Sequence, residues 1–242
     1  MSINAVKIAD LIGSNPYVGR GIIAGTDPTG KYAVTAYFIM GRSVNSRNRV
    51  FAVRDDGAVI TKAFDESKVT DPSLIIYAAM REHGGRLITT NGDQTDTVYD
   101  GLTAGISFEE SLDSRCFEPD APNYTPRISA LQCFENGYSY KMSVLKCPDG
   151  SGINCDRCTY APAPAPGIGH FIHTYEGDGN PLPSFRGEPE RITVSGSAEE
   201  FAQEIWNALN ADNRISLVVR FTDIAGGDSE QIIINKNVRS TD

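Results

Sequence analysis

The chain has 242 residues, of which 40% are hydrophobic and 22% charged, and its formal net charge is −9. That length buries a core in one large domain or two small ones. The acidic balance excludes non-specific binding to nucleic acid or to an anionic membrane surface, which would repel the chain at long range. No run of 18 apolar residues and no signal-peptide pattern occurs, so a cytoplasmic protein is expected.

The predicted elements start with a short helix over 5–12, stopped by Gly13-Ser14-Asn15-Pro16. Strands follow over 21–24, 32–40, 50–54 and 58–61, and Asp56-Gly57 between the last two signals a hairpin. Asp71-Pro72 opens a predicted helix, with Asp as the cap and Pro in the first turn. Leu74, Ile75, Ala78, Ala79 and Glu82 mark its face, and Gly84-Gly85 ends it. After a strand over 86–90, helices are expected over 95–104 and 107–114, the second opened by Ser107 and Glu110 at capping-box spacing. Strands over 128–134 and 138–146 flank Glu135-Asn136-Gly137, a second hairpin.

Residues 159–190 are rich in Pro and Gly, yet they carry His170, Phe171, His173, Tyr175 and Phe185. So many aromatic rings suit a structured binding loop better than a disordered linker. Ser197 and Glu200 form another capping box, ahead of a helix whose apolar face is Phe201, Ile205 and Leu209, with Ala202 and Trp206 alongside. Strands over 215–221 and 231–235 complete the chain, the last read as buried on both faces. Hairpins in blocks, without alternating β-α units, predict an α+β protein of antiparallel sheets with helices packed outside them.

Five cysteines stand at 116, 133, 147, 155 and 158, an odd number that argues against a disulfide framework. Cys147, Cys155 and Cys158 can either hold zinc, with Cys133 or a histidine as fourth ligand, or sit reduced on a polar hairpin. Oxidation of such a hairpin would join Cys155 to Cys158 or to Cys147. No second C-x-x-C or H-x-x-x-H completes a zinc pattern, so no metal is expected.

Several polar motifs suit ligand binding, and each also has a plain structural explanation. Asn15-Pro-Tyr17-Val-Gly19-Arg20 reads as a turn before a strand. Gly41-Arg42-Ser43-Val-Asn45-Ser-Arg47-Asn-Arg49 interleaves arginines with Ser and Asn, a composition able to surround a phosphate. Asn91-Gly-Asp93-Gln-Thr95-Asp96 is either a helix cap or an anion site. The loop holding Glu118, Asp120, Asn123, Tyr124 and Arg127 is stiffened by prolines, which lowers the entropic cost of orienting catalytic groups. Tyr175 and Phe185 suit base stacking. No G-x-S-x-G, H-E-x-x-H, Walker or Rossmann signature is present.

In this order the motifs Asn-Pro-Tyr-Val-Gly-Arg, Gly-Arg-Ser-x-Asn-Ser-Arg-Asn-Arg, Asn-Gly-Asp-Gln-Thr-Asp and Asn-Tyr-Thr-Pro-Arg-Ile resemble the archaeal-type IMP cyclohydrolase family. A fifth, Thr174 to Pro189, looks like that of its longer bacterial members. The N-terminal extension over 1–16, the cysteine hairpin and the His/Pro-rich loop depart from the short archaeal form. Residues 17–242 are expected to make a single domain.

The resemblance implies a four-layer αββα sandwich like that of the N-terminal-nucleophile hydrolases, two mainly antiparallel sheets flanked by helices. With sixteen residues ahead of Tyr17 and Met at position 1, no free N-terminal nucleophile is expected. The implied activity is dehydrating ring closure of a formamidoimidazole-carboxamide ribonucleotide to IMP, with no metal or organic cofactor. Alternatives are an amide-bond hydrolase on the same fold or a non-catalytic binder of purine nucleotides. Tyr77 and Glu118 are implied as proton-handling groups, with Asp120 as a second carboxylate. Tyr17, Arg20, Arg42, Ser43, Arg49, Asn91, Asp93, Asn123, Arg127 and Tyr175 are the expected substrate contacts. The expected partner is a small purine ribonucleotide, without nucleic acid or membrane; the composition also permits a homo-oligomer.

Overall fold

The computed structural model describes residues 5–69 and 76–238. In chain order these form β1 (Val6–Lys7), α1 (Ile8–Ile12), β2 (Arg20–Thr26), β3 (Tyr32–Met40), α2 (Val44–Arg47), β4 (Arg49–Val53), β5 (Val59–Ala63), β6 (Ala78–Glu82) and β7 (Arg86–Thr90). Then come α3 (Gln94–Thr103), α4 (Phe108–Leu112), β8 (Arg127–Cys133), β9 (Ser139–Lys146), β10 (Asp156–Tyr160), β11 (Ile168–His173), β12 (Glu190–Thr193), α5 (Ala198–Ala208), β13 (Arg214–Asp223) and β14 (Ser229–Asn235).

Two seven-stranded sheets result, ordered β1-β12-β11-β2-β3-β13-β14 and β10-β9-β8-β7-β6-β5-β4. Every pairing is antiparallel except β1 with β12. Alternation along the strands sorts the side chains into three cores. Ile22, Tyr37 and Val218 of the first sheet meet Phe51, Ile128 and Met142 of the second. Their neighbours Ile23, Phe38 and Val219 point the other way, onto Ile12 of α1 and Phe201 and Ile205 of α5. On the far side Ile88, Leu131 and Leu145 pack on Val98, Phe108 and Leu112 of α3 and α4. The sheets therefore form a sandwich with helices on both outer faces. Both expected capping boxes are present, Ser107 with Glu110 and Ser197 with Glu200. Among the described residues no helix is long and apolar enough to cross a membrane.

Three sequence expectations fail here. The helix expected from Asp71 to Gly84 is, over its described part, strand β6. Met80, Arg81 and Glu82 pair with Thr89, Ile88 and Leu87. Gly84 and Gly85 both take positive φ, 51° and 66°, and His83 and Arg86 exchange backbone hydrogen bonds across them. The glycines thus make a two-residue hairpin turn and not a helix cap. Residues 70–75, which hold Leu74 and Ile75, lie outside the described residues. Within the expected loop over 159–190 lie parts of three strands, among them β11 in the middle of the first sheet. Its Gly169 lies opposite Gly25, where a Cβ would come within 2.4 Å of the Gly169 Cα, so close backbone approach selects glycine inside a strand. Finally, β14 is an edge strand with half-buried side chains from Gln231 to Asn235, not one buried on both faces.

His170 of β11 lies within the sandwich and pairs through Nδ1 with the Tyr140 hydroxyl at 2.6 Å. Burial, helped by Arg191, lowers its pKa to about 4. An unfolded imidazole titrates near 6.5, so between about 6.5 and 4 the unfolded chain binds the extra proton and folding weakens as pH falls. Over that window roughly 3 kcal/mol should be lost, and His170→Gln should abolish most of that slope. Denaturant titrations of both proteins from pH 8 to pH 4 check this; parallel stability curves would show that His170 does not carry the effect.

Candidate active site

Five strand ends meet at one end of the sandwich. There β2 begins, β3 ends, β11 ends, β8 begins, and the chain crosses between sheets from Met40 through α2 to Arg49. Met40 is tied to the start of β2 by its N–H to the Gly19 carbonyl, 2.8 Å. A cleft of about 240 Å³ opens here, lined by Tyr17, Arg20, Arg42, Ser43, Arg49 and Tyr175, among others. A larger cavity of about 540 Å³ lies elsewhere, but Asp27, Asp228 and Glu230 line it with no basic residue. That acidic lining repels an anion, so the smaller cleft is the better site for one.

Arg49 is 1% exposed. Its Nε donates to the Ser46 carbonyl at 2.8 Å, and its buried Nη1 has no hydrogen-bond partner. No carboxylate among the described residues lies within ion-pair distance of it. Burial and the neighbouring Arg20 both lower its pKa. Arg20 also has an unpartnered buried Nε. Burial alone would lower its pKa, but Glu118, 3.9 Å away, and the Tyr175 and Tyr77 phenols raise it well above the usual value. Of these two desolvated guanidinium groups only Arg20 has a carboxylate within ion-pair distance, and both keep an N–H without a partner among the described residues.

Glu118 is 3% exposed, and its carboxylate makes no hydrogen bond among the described residues. Burial pushes its pKa up, and Arg20 and Arg127 restore only part of that shift. Tyr77 is buried and sits at the edge of β6, not on a helix face. Thr61 holds its backbone, with the Tyr77 N–H on Thr61 Oγ1 at 2.9 Å. Its hydroxyl meets that of Tyr37 at 2.6 Å, and burial raises its pKa against the pull of Arg49 and Arg20. The phenol is therefore neutral near pH 7. Tyr37 carries no motif signal; only its place on the inner face of β3 could have revealed it.

Other expected residues are engaged within the protein. Asp120 lines the cleft, but both of its carboxylate oxygens accept from Thr125, from the N–H at 2.7 Å and from the hydroxyl. The Tyr175 ring stacks on Tyr17 at 5.9 Å, and its hydroxyl bonds Thr125. Asn123 accepts from the Leu182 N–H at 3.0 Å. Ser43 caps α2 through the Ser46 N–H. Arg42 lies over Tyr17, 5.0 Å from the ring centre, and pairs with Asp178 at the rim.

Asn91 and Asp93 do not line the cleft. Asn91 is fully buried, and its amide binds the Pro126 carbonyl, the Ile128 N–H and Gln94. Asp93 binds Arg127 at 2.7 Å and Arg115. Arg127 gives its Nη1 to Asp93 and Gln94, standing beside Glu118. These three form a clamp behind the carboxylate, since a strand-to-helix junction must satisfy its own polar groups first.

The cysteines do not converge either. Among the described residues no three His, Cys, Asp or Glu side chains are placed to hold a metal ion. Cys147 accepts from the Gly152 N–H at 3.2 Å, while Cys155 lies against Cys116, the thiol to which Arg157 also donates at 3.4 Å.

A family model described as IMP cyclohydrolase-like protein matches residues 17–228. The IMP cyclohydrolase of Methanopyrus kandleri strain AV19 is 32% identical over 146 residues, which cover 56% of this chain and 72% of that protein. That of Methanococcus maripaludis strain C7 is 30% identical over 126 residues, 50% of this chain and 61% of that protein. The aligned stretch thus spans less than two thirds of the Methanococcus protein.

An unpaired buried guanidinium should make the cleft an anion sink. Millimolar inorganic phosphate should raise the melting temperature by about 2–4 °C, and Arg49→Met should remove most of that gain. In a buffer without multivalent anions the variant should melt no lower than the wild type, because it removes an uncompensated charge. If Arg49→Met unfolds the anion-free protein instead, Arg49 holds the fold and not a ligand.

Proposed function

The chain belongs to the IMP cyclohydrolase-like family, and from that premise we propose that it closes the purine ring of 5-formamidoimidazole-4-carboxamide ribonucleotide, releasing IMP and water. The observation that carries this reading is the cleft lined by Arg20 and Arg49, each with a buried N–H unpartnered, with Glu118 and the neutral phenol of Tyr77 buried behind its lining beside Arg20. Ring closure needs these charges in this order. The carboxamide nitrogen attacks the formyl carbon, negative charge gathers on the formyl oxygen, and that oxygen finally leaves as water.

An amide nitrogen is a weak nucleophile, so holding it against the formyl carbon supplies much of the rate. The Tyr77 hydroxyl donates to the formyl oxygen, and the unpartnered N–H groups of Arg20 and Arg49 stabilise its growing charge in a cleft poor in water. Glu118 takes the proton leaving the amide nitrogen and returns it to the departing hydroxyl, while the formamide N–H, lost as the ring C=N bond forms, restores the proton that Tyr77 gave to the formyl oxygen. A carboxyl raised by burial is suited to both halves of that transfer, because its affinity for the proton lies nearer to neutrality. Arg42 and Ser43 at the rim hold the ribose phosphate, while Tyr17 and Tyr175 bound the space for the ring. Asp120, Asn123, Asn91, Asp93 and Arg127 act one step back, by holding the loop on which Glu118 sits.

The purine ribonucleotide is the partner this reading requires, and none of its steps calls on a metal or an organic cofactor. We also read the sandwich as the arrangement of the N-terminal-nucleophile hydrolases, with Tyr17 standing where their nucleophile would be. Residues 17–242 then form one catalytic domain, and 1–16 an extension packed on it through Ile8 and Ile12.

Following IMP by its ultraviolet absorbance tests the chemistry directly. Glu118→Gln should keep near-native affinity for IMP while turnover falls by about two to four orders of magnitude. Full turnover in that variant would remove Glu118 from the mechanism, and binding without turnover in the wild type would leave a nucleotide-binding protein. A separate measurement addresses the rim. Arg42→Ala should weaken IMP by roughly ten- to a hundredfold, the worth of a charge-assisted contact. Inosine, which lacks the phosphate, should bind both proteins alike; equal losses for the two ligands would move Arg42 from the phosphate to the base or the fold.

A further inference from the structure

We propose that Tyr37 is a positioning residue that acts through Tyr77 and fixes which way the Tyr77 proton points, an inference that rests on the reading of Tyr77 as donor to the substrate. Tyr37 sits mid-strand on β3, opposite Ile22 of β2 and Val218 of β13, so both edges of its strand are paired. Its ring lies against Phe51, 5.5 Å between centres, and none of its surface is exposed. Tyr77 comes from the second sheet, where Thr61 ties down its N–H and its carbonyl. The 2.6 Å bond between the two hydroxyls therefore spans the sandwich, from one rigid sheet to the other.

Two hydroxyls 2.6 Å apart can share one hydrogen bond, so only one of them donates in it. The Tyr37 oxygen has no other hydrogen-bond partner among the described residues and no access to water, so its proton has a single destination, the Tyr77 oxygen. Tyr77, by accepting, keeps its own O–H free to point toward Arg20 and Arg49, its cationic neighbours at the cleft. The electrostatics run the same way. Burial holds Tyr37 well above the usual phenol range, and its bond to Tyr77 raises it further. At Tyr77 that same bond pulls the other way, easing loss of its proton. Tyr37 thus stays protonated and supports the charge that grows on Tyr77 as its proton is drawn toward the substrate.

The test is a two-by-two set of Tyr37→Phe and Tyr77→Phe, each assayed for turnover, IMP affinity and melting temperature. Tyr37→Phe should lower kcat by about five- to tenfold, the worth of one neutral hydrogen bond, with IMP affinity unchanged within about twofold. In the Tyr77→Phe background the same change should have no effect on the remaining kcat, because the group it acts through is gone. If instead Tyr37→Phe multiplies the loss in both backgrounds, or weakens IMP as much as it lowers kcat, Tyr37 merely packs the sandwich and the proposal falls. A Tyr77→Phe single variant with native turnover would overturn the parent reading, and this one with it. The two failures are told apart by that single variant alone.

Discussion

Arg49 carries its guanidinium into the space between the two sheets and finds a backbone carbonyl there, but no carboxylate among the described residues. A buried charge without a counter-ion costs several kcal/mol, and a chain normally removes such a group or pairs it. Here the opposite is done, with a second buried guanidinium beside it that depresses its pKa. The site's other polar groups respond to that positive field. Glu118 approaches Arg20 without contacting it closely. The oxygens of Tyr37 and Tyr77 lie where they feel both arginines. What the protein leaves unsatisfied suits a ligand with negative or partly negative oxygens, at the end of the sandwich where the chain must pass between sheets.

The sandwich matters because it makes these positions rigid. Arg20 begins β2, Arg49 begins β4, Tyr37 is held by paired strands on both sides, and Tyr77 is tied to Thr61 of β5. Glu118 comes from a loop, and that loop is clamped at several points. Its N–H donates to the Thr125 carbonyl, Asp120 binds Thr125 twice, and Arg127 stands behind the carboxylate on Asp93 and Gln94. Groups that must stay oriented against like-charged neighbours need this kind of fixed frame, since free side chains would turn apart.

The arginine-rich turn was legible in the sequence because charge density needs no tertiary information, and the hairpins were legible because Asp-Gly and Asn-Gly announce themselves locally. The stretch Ala78–Glu82 was misread for a physical reason. Its Ala78, Ala79 and Met80 fill a sheet face as readily as a helix face, and only pairing with Thr89 and Leu87 decides between the two. β11 was hidden because Gly167 and Gly169 around it look like loop punctuation, although the backbone of Gly169 packs so closely on Gly25 across the pair that Gly25 has no room for a Cβ. Asn91 and Asp93 stood out as polar residues at a helix start, and the structure uses their side chains to clamp that junction to β8 and to Arg127, with no side-chain cap from Asp93. Tyr37 could not be seen at all, since a tyrosine in an apolar strand has no signature until the partner of its hydroxyl is known.

The two cationic parts of the cleft are built for different jobs. Arg42 at the rim is 39% exposed along its side chain and already paired with Asp178, itself 47% exposed. An exposed pair of this kind contributes about 0–1 kcal/mol, so a phosphate group can take the guanidinium from Asp178 at little cost. Arg49, almost wholly buried, has no such partner to give up among the described residues. A ligand oxygen reaching it meets a charge whose desolvation was completed when the chain folded. Binding energy at the rim is therefore modest and exchangeable, whereas the deep end concentrates an unscreened field on whatever charge appears there. That division favours charge that grows during the reaction over charge the ligand brings with it.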